Sequence, residues 1–143
     1  MVQALQLDAY IGYLIRRCEQ VHTALWSAQV SREITSQQFA VLNTLARRPE
    51  VDQRTLAEEA SLDRSTINVM VRRLADQGYV QQVRHDRDRR RTVLRLTPDG
   101  ARLLEGLIPP AQRINQQMLE VLSTEDRATA LRLLKTLAES DLS

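Results

Sequence analysis

Through most of this chain the apolar residues recur every three or four positions, and between Tyr79 and Thr97 the spacing drops to two. A period near 3.6 buries one stripe of a helix, whereas a period of two buries one face of a strand. The chain is therefore expected to be helical, with one short stretch of strand set into it.

The helices can be placed in turn. Residues 8–30 carry Ile11, Leu14, Cys18, Val21, Leu25 and Ala28 at helical spacing. In "TSQQ", Thr35 and Gln38 form a capping box for a helix that holds Phe39, Leu42 and Leu45 and ends near Pro49. Asp52 suits the cap of a short helix with Leu56, Ala57 and Ala60. Asp63 suits the cap of the next, whose stripe is Ile67, Met70, Val71 and Leu74. Gly78 is placed to end that helix in a left-handed conformation.

"YVQQVRH" and "TVLRLT" have strand character, with Leu94 and Leu96 on one face and Val93 and Arg95 on the other. Thr97 and Pro98 then restart helix, with Leu103, Leu104, Leu107 and Ile108 on its stripe. Pro109-Pro110 are expected to kink or interrupt it, because they remove amide donors. Ile114, Met118, Val121 and Leu122 continue the stripe beyond, and "STED" opens a last helix with Leu131, Leu134 and Leu137.

This order predicts a mostly α fold with a small β-hairpin wing. A winged helix-turn-helix occupies 35–97, flanked by an N-terminal helix (1–34) and C-terminal helices (98–143). The flanking helices keep apolar faces that a small central domain does not cover, and pairing with a second copy would cover them. A homodimer is the natural reading.

At 143 residues, one domain with helical extensions is expected. Charge is nearly balanced, 20 Lys+Arg against 18 Asp+Glu. Its distribution is the informative part. Positions 84–91 hold five arginines and two aspartates, and they fall between the two strand runs, at the tip and flank of a hairpin. One cysteine excludes an intramolecular disulfide, and His22 and His85 alone make no zinc ligand set. With no phosphate loop and no recognisable nucleophile–base pairing, neither a cofactor nor an enzymatic activity is expected. The sequence lacks a secretory leader pattern and any apolar run near the roughly 18 residues that span a bilayer, so the expected place is the cytoplasm, with no membrane partner.

On the helix from Arg64 to Gln77, about 100° per residue sets Ser65, Asn68, Val69 and Arg72 broadly opposite the apolar stripe. Arg64, Thr66 and Arg73 flank them. Short polar groups and arginines suit base edges and phosphates in the major groove of double-stranded DNA. The wing residues Arg84, Arg87, Arg89, Arg90 and Arg91 suit phosphates or the minor groove. Asp88 and Arg90, two apart, share a side of an extended segment, where the carboxylate can hold the guanidinium. The plain alternative is a solvated helix face and a solvated loop. The turn "ASLD", which spaces two short helices as a helix-turn-helix does, favours the DNA reading.

The run "TLAEEASLDRSTINVMVRRLADQGYVQQVRHDRDRRRTVLRLTPDG" resembles the MarR family of transcriptional regulators, and the likeness extends over nearly the whole chain. Short helix, recognition helix ending in L-x-x-x-G-Y-V, D-R-R wing and L-T-x-x-G occur together. The resemblance implies a triangular homodimer with intertwined terminal helices, bound to a pseudo-palindromic DNA operator. It implies Arg90 as the minor-groove residue, Asp88 as its orienting partner, and a repressor released by a ligand or by oxidation.

The first helix offers a site for such a ligand. Ile15, Cys18, His22 and Trp26 share a sector, with Arg16 and Arg17 in neighbouring ones. Arginine can pair with a carboxylate, histidine can bond a hydroxyl, and Trp26 or Tyr13 can pack on a ring. Arg16 lies about 120° from His22, so a shared pocket would take one from each subunit. This arrangement resembles MarR-type regulators of aromatic acid catabolism and implies a small aromatic carboxylate effector. Against it stands a core-edge histidine with two surface arginines. Two other readings stay open: a redox-sensing repressor acting through Cys18, close to Tyr10 and Tyr13, and a DNA-binding protein that no ligand alters. Cysteine on an apolar seam commonly acts as a small hydrophobe.

Overall fold

The computed structural model describes residues 1–84, 87, 88 and 90–142. A 3-10 turn at Leu7–Ala9 precedes α1 (Ile11–Gln29), followed by α2 (Ser36–Arg47), α3 (Gln53–Ala60) and α4 (Arg64–Asp76). The hairpin β1 (Val80–Arg84) and β2 (Thr92–Leu96) comes next, then α5 (Pro98–Leu119) and α6 (Thr124–Ala138). The helix expected over 8–30 is thus shorter at its start: Tyr10 is extended and supplies no side-chain cap, which separates the 3-10 turn from α1.

The other helix starts are fixed by their caps. Thr35 and Gln38 form a reciprocal capping box, and Asp52, Asp63, Thr97 and Ser123 each accept the amide three residues on. Gly78, at φ +82°, closes α4 as expected. The Tyr79 N–H donates to the Leu74 carbonyl and the Gly78 N–H to that of Ala75, the paired bonds of a left-handed C-cap. The same pattern ends α3, but there the left-handed residue is Ser61, at φ 55°.

One core joins the elements. Val41, Leu42 and Leu45 of α2 meet Leu56 of α3, Ile67, Val71 and Leu74 of α4, Leu94 of the hairpin, and Leu104 and Leu107 of α5. The strands pair antiparallel from Val80↔Leu96 to Arg84↔Thr92. Val51 adds a one-residue bridge to Leu94, which sets the segment before α3 along the free edge of β2. Val93 and Leu94 lie on opposite faces, as expected, and both are buried. Arg95 reaches Glu50 in an ion pair.

Pro109 and Pro110 do not interrupt α5. The carbonyls that lose a donor belong to Glu105 and Gly106, both on the exposed side where water can bond them. Beyond the prolines Ile114 is buried, but Val121 falls in the turn after α5 and is exposed, so the stripe stops short of it.

Trp26 ties α1 to the body. Its ring packs 5.1 Å from that of Phe39, and its indole N–H donates to the Ile34 carbonyl at 2.6 Å. Farther toward the N-terminus, Ile11, Leu14, Ile15 and Val21 of α1 are exposed, as are Leu131, Leu134 and Leu137 of α6. Among the described residues, no helix is long and apolar enough to cross a membrane.

Candidate nucleic-acid interface and effector site

Two short helices set almost at the surface need a rigid joint, and Ser61–Asp63 provides it. The Leu62 N–H bonds back to the Ala57 carbonyl, and the Asp63 carboxylate then starts α4. One Asp63 oxygen accepts from the Thr66 N–H at 2.8 Å and the Ser65 hydroxyl at 2.7 Å, and the other from the Thr66 hydroxyl at 2.8 Å. The Thr66 amide bond, with the two hydroxyls, holds the Asp63 carboxyl down to about 2.

With Ile67, Val71 and Leu74 buried, α4 turns Arg64, Ser65, Asn68, Val69, Arg72 and Arg73 outward, and Thr66 is half-buried. The hydroxyl protons of Ser65 and Thr66 are directed at Asp63, leaving their oxygens to accept. Asn68 is held from a neighbouring helix, because its side-chain oxygen accepts from the Gln53 amide at the start of α3. Gln53 escapes a reading of the sequence because no local periodicity links it to Asn68. The pertinent signal is its position directly after the Asp52 cap, at the end of α3 that faces the same side.

On the wing, Arg84 ends β1 opposite Thr92. Arg84, Arg87, Asp88, Arg90 and Arg91 are all exposed, and Arg89 lies outside the described residues. Asp88 shapes the backbone of the tip: its carboxylate accepts the Arg90 N–H at 3.1 Å, and its carbonyl accepts the Arg91 N–H at 3.0 Å. Arg91 turns back to Asp52, 3.1 Å away. The Asp52 carboxyl is lowered by its bonds to Thr55 first and by Arg91 after that.

The candidate effector residues all lie on α1. The rings of His22 and Trp26 are 6.1 Å apart and tilted. Arg16 stands over the Tyr13 ring, 5.7 Å from its centre, while Arg17 is turned to Gln20 at 2.7 Å. His22 and Tyr13 are half-buried and Cys18 is exposed. Trp26 is already committed to Ile34 and Phe39, which leaves little of its ring for another partner. Phe39 also borders an open cleft of about 660 Å³ lined by Asn43, Thr44, Arg47 and Arg48. Among the described residues, no group of three or more His, Cys, Asp or Glu side chains is arranged to hold a metal.

Two short helices at a tight joint, an outward basic-polar helix face and a hairpin beside it define a winged helix-turn-helix protein. The MarR family matches residues 33–91. The HTH-type transcriptional repressor NicR of Pseudomonas putida is 33% identical over 132 residues, 92% of this chain and 84% of that protein. The chain belongs to the MarR family and is a transcriptional regulator, not an enzyme. Among solved structures, the PcaV regulator of Streptomyces coelicolor in complex with its natural ligand is 41% identical, with a TM-score of 0.91 over 97% of this chain and 99% of that one. BpsR of Bordetella bronchiseptica, whose DNA binding is regulated by 6-hydroxynicotinic acid, is 26% identical, with a TM-score of 0.90 over 97% and 100%.

Proposed function

We propose that this chain is a cytoplasmic, homodimeric repressor that binds a pseudo-palindromic operator and leaves it when a small aromatic carboxylate binds. The observation that carries the DNA reading is the outward face of α4, where Ser65, Asn68, Val69, Arg72 and Arg73 stand clear of the core beside the basic wing. In this reading α4 enters the major groove, and Arg90 reaches the minor groove or its phosphates. Residues 35–97 form the DNA-binding unit, and 1–34 with 98–143 pair the two copies. The exposed leucines and isoleucines of α1 and α6 support that pairing, since each copy would cover the other's apolar face.

The effector reading is supported by BpsR and its 6-hydroxynicotinic acid, by the ligand complex of PcaV, and by two pairs on different faces of α1, Arg16 over Tyr13 and His22 against Trp26, which two subunits together could offer to one ligand. The mechanism is geometric. Two recognition helices must stand roughly 34 Å apart to enter successive major grooves, and a ligand seated between dimer helices and winged unit favours a different spacing. A coupling of about 1–3 kcal/mol would change operator affinity roughly 5- to 150-fold.

The test is fluorescence anisotropy on labelled DNA from upstream of this protein's own gene, with and without a panel of hydroxylated aromatic acids. Tight binding that one compound abolishes is the expected result. Binding that no compound disturbs would remove the effector half of the proposal, and no binding at low salt would remove both halves.

A further inference from the structure

Among the described residues, Val69 is the one large apolar side chain exposed between Val21 and Val121, and it stands in the middle of the outward face of α4 with about half its surface open. Its surface neighbours one turn away are Ser65, Thr66, Arg72 and Arg73, all polar or charged. Nothing in the fold asks for valine there. It packs into no core, and a β-branched residue is a weaker helix former than alanine or arginine. In a helix, however, valine holds one side-chain rotamer almost exclusively, so its two methyl groups are offered at a fixed place.

We infer that Val69 reads the 5-methyl group of a thymine in each operator half-site. This rests on the reading of α4 as the DNA-recognition helix. Of the groups that base pairs present in the major groove, the thymine methyl is the apolar one, and a small apolar side chain is its fitting partner. The arginines around Val69 bring the helix onto the phosphates, and contact with the methyl removes both apolar surfaces from water. Asn68, adjacent and steadied by Gln53, presents a polar group beside the apolar one.

The experiment is a methyl-deletion scan. In the operator recovered from the upstream DNA, each thymine is replaced in turn by deoxyuridine, which removes the methyl and keeps the pairing. Binding is measured for the wild type and for Val69→Ala, with helicity checked by circular dichroism. The wild type is expected to lose about fourfold in affinity at one thymine per half-site, the effect of burying one methyl group. Val69→Ala is expected to bind the thymine and deoxyuridine forms of that site equally well, while its response at other thymines matches the wild type. Equal sensitivity of both proteins at every thymine, or none in either, would overturn the assignment while leaving DNA binding intact. Failure of both proteins to bind any DNA would overturn the DNA reading and this inference together.

Discussion

Arg91 and Asp52 join the wing to the first helix of the helix-turn-helix. One Asp52 oxygen takes the Arg91 guanidinium at 3.1 Å, and the other takes the Thr55 N–H at 2.8 Å and so caps α3. The wing loop is thereby held, where it re-enters β2, against the start of α3, while the neighbouring Arg90 stays exposed.

That difference predicts separate roles for the two arginines. Arg90→Ala is expected to weaken operator binding at least tenfold and to reduce the slope of log K against log salt by about one contact. Arg91→Ala is expected to weaken binding less and to leave the salt slope closer to that of the wild type. An exposed pair contributes only about 0–1 kcal/mol, so its unfolding midpoint should hardly move. Salt-titrated anisotropy on one DNA compares them. Equal losses in affinity and slope would mean that Arg91 also spends its charge on phosphate.

His22 is the α1 side chain best placed to respond to an effector, half-buried and set against the Trp26 ring. It lies on a different helix from the outward face of α4. His22→Ala is therefore expected to leave operator affinity nearly unchanged and to remove the roughly 5- to 150-fold drop that the effector causes in the wild type. A retained drop would take His22 out of the pocket.

Two glycines of α5 should answer oppositely to the same substitution. A Cβ on Gly100 would fall on the Tyr79 carbonyl, which accepts the Thr97 N–H, and would press on Leu96. The end of the hairpin and the start of α5 would have to separate, so Gly100→Ala is expected to cost at least about 1–3 kcal/mol. Gly106 faces open space within the same helix, and Gly106→Ala is expected to add roughly 0.5–1 kcal/mol. Urea denaturation of both variants checks the pair. A Gly100→Ala chain as stable as the wild type would show that this approach is not a constraint.

What could be seen in the sequence is what depends on neighbours a few residues apart. Thr35 with Gln38, Asp63 with Thr66 and Gly78 with Ala75 each close within one turn, so their residue types announce them. The faces of α4 follow from periodicity for the same reason. The contacts that tie the outward face of α4 and the wing to other elements were hidden. Gln53 to Asn68 and Arg91 to Asp52 are set by how α3, α4 and the wing pack, and no spacing reports it. Val51 escaped notice because a single bridging residue has no period. The prolines of α5 left a break open, because whether the helix runs through depends on whether the carbonyls of Glu105 and Gly106 can reach water. The turn "ASLD" was legible as a turn, but that Ser61 would take the left-handed position was not.

Asp63 ties stability to pH through the start of α4. In the folded chain its carboxylate accepts three hydrogen bonds that an unfolded chain lacks, and its pKa falls from 3.8 to about 2. A depressed carboxyl favours the folded state wherever it is ionised. Its contribution is complete above about pH 4 and is lost as the pH falls through about 2. Asp63→Asn keeps a capping oxygen but has nothing to titrate. The gap between the thermal midpoints of the two proteins should therefore stay constant from neutral pH down to about pH 5, then narrow steadily in stronger acid. Operator binding at physiological pH should show no titration from this residue, since Asp63 is fully ionised there. A gap that persists unchanged down to about pH 2 would mean that the ionised carboxylate contributes nothing beyond what a neutral cap supplies.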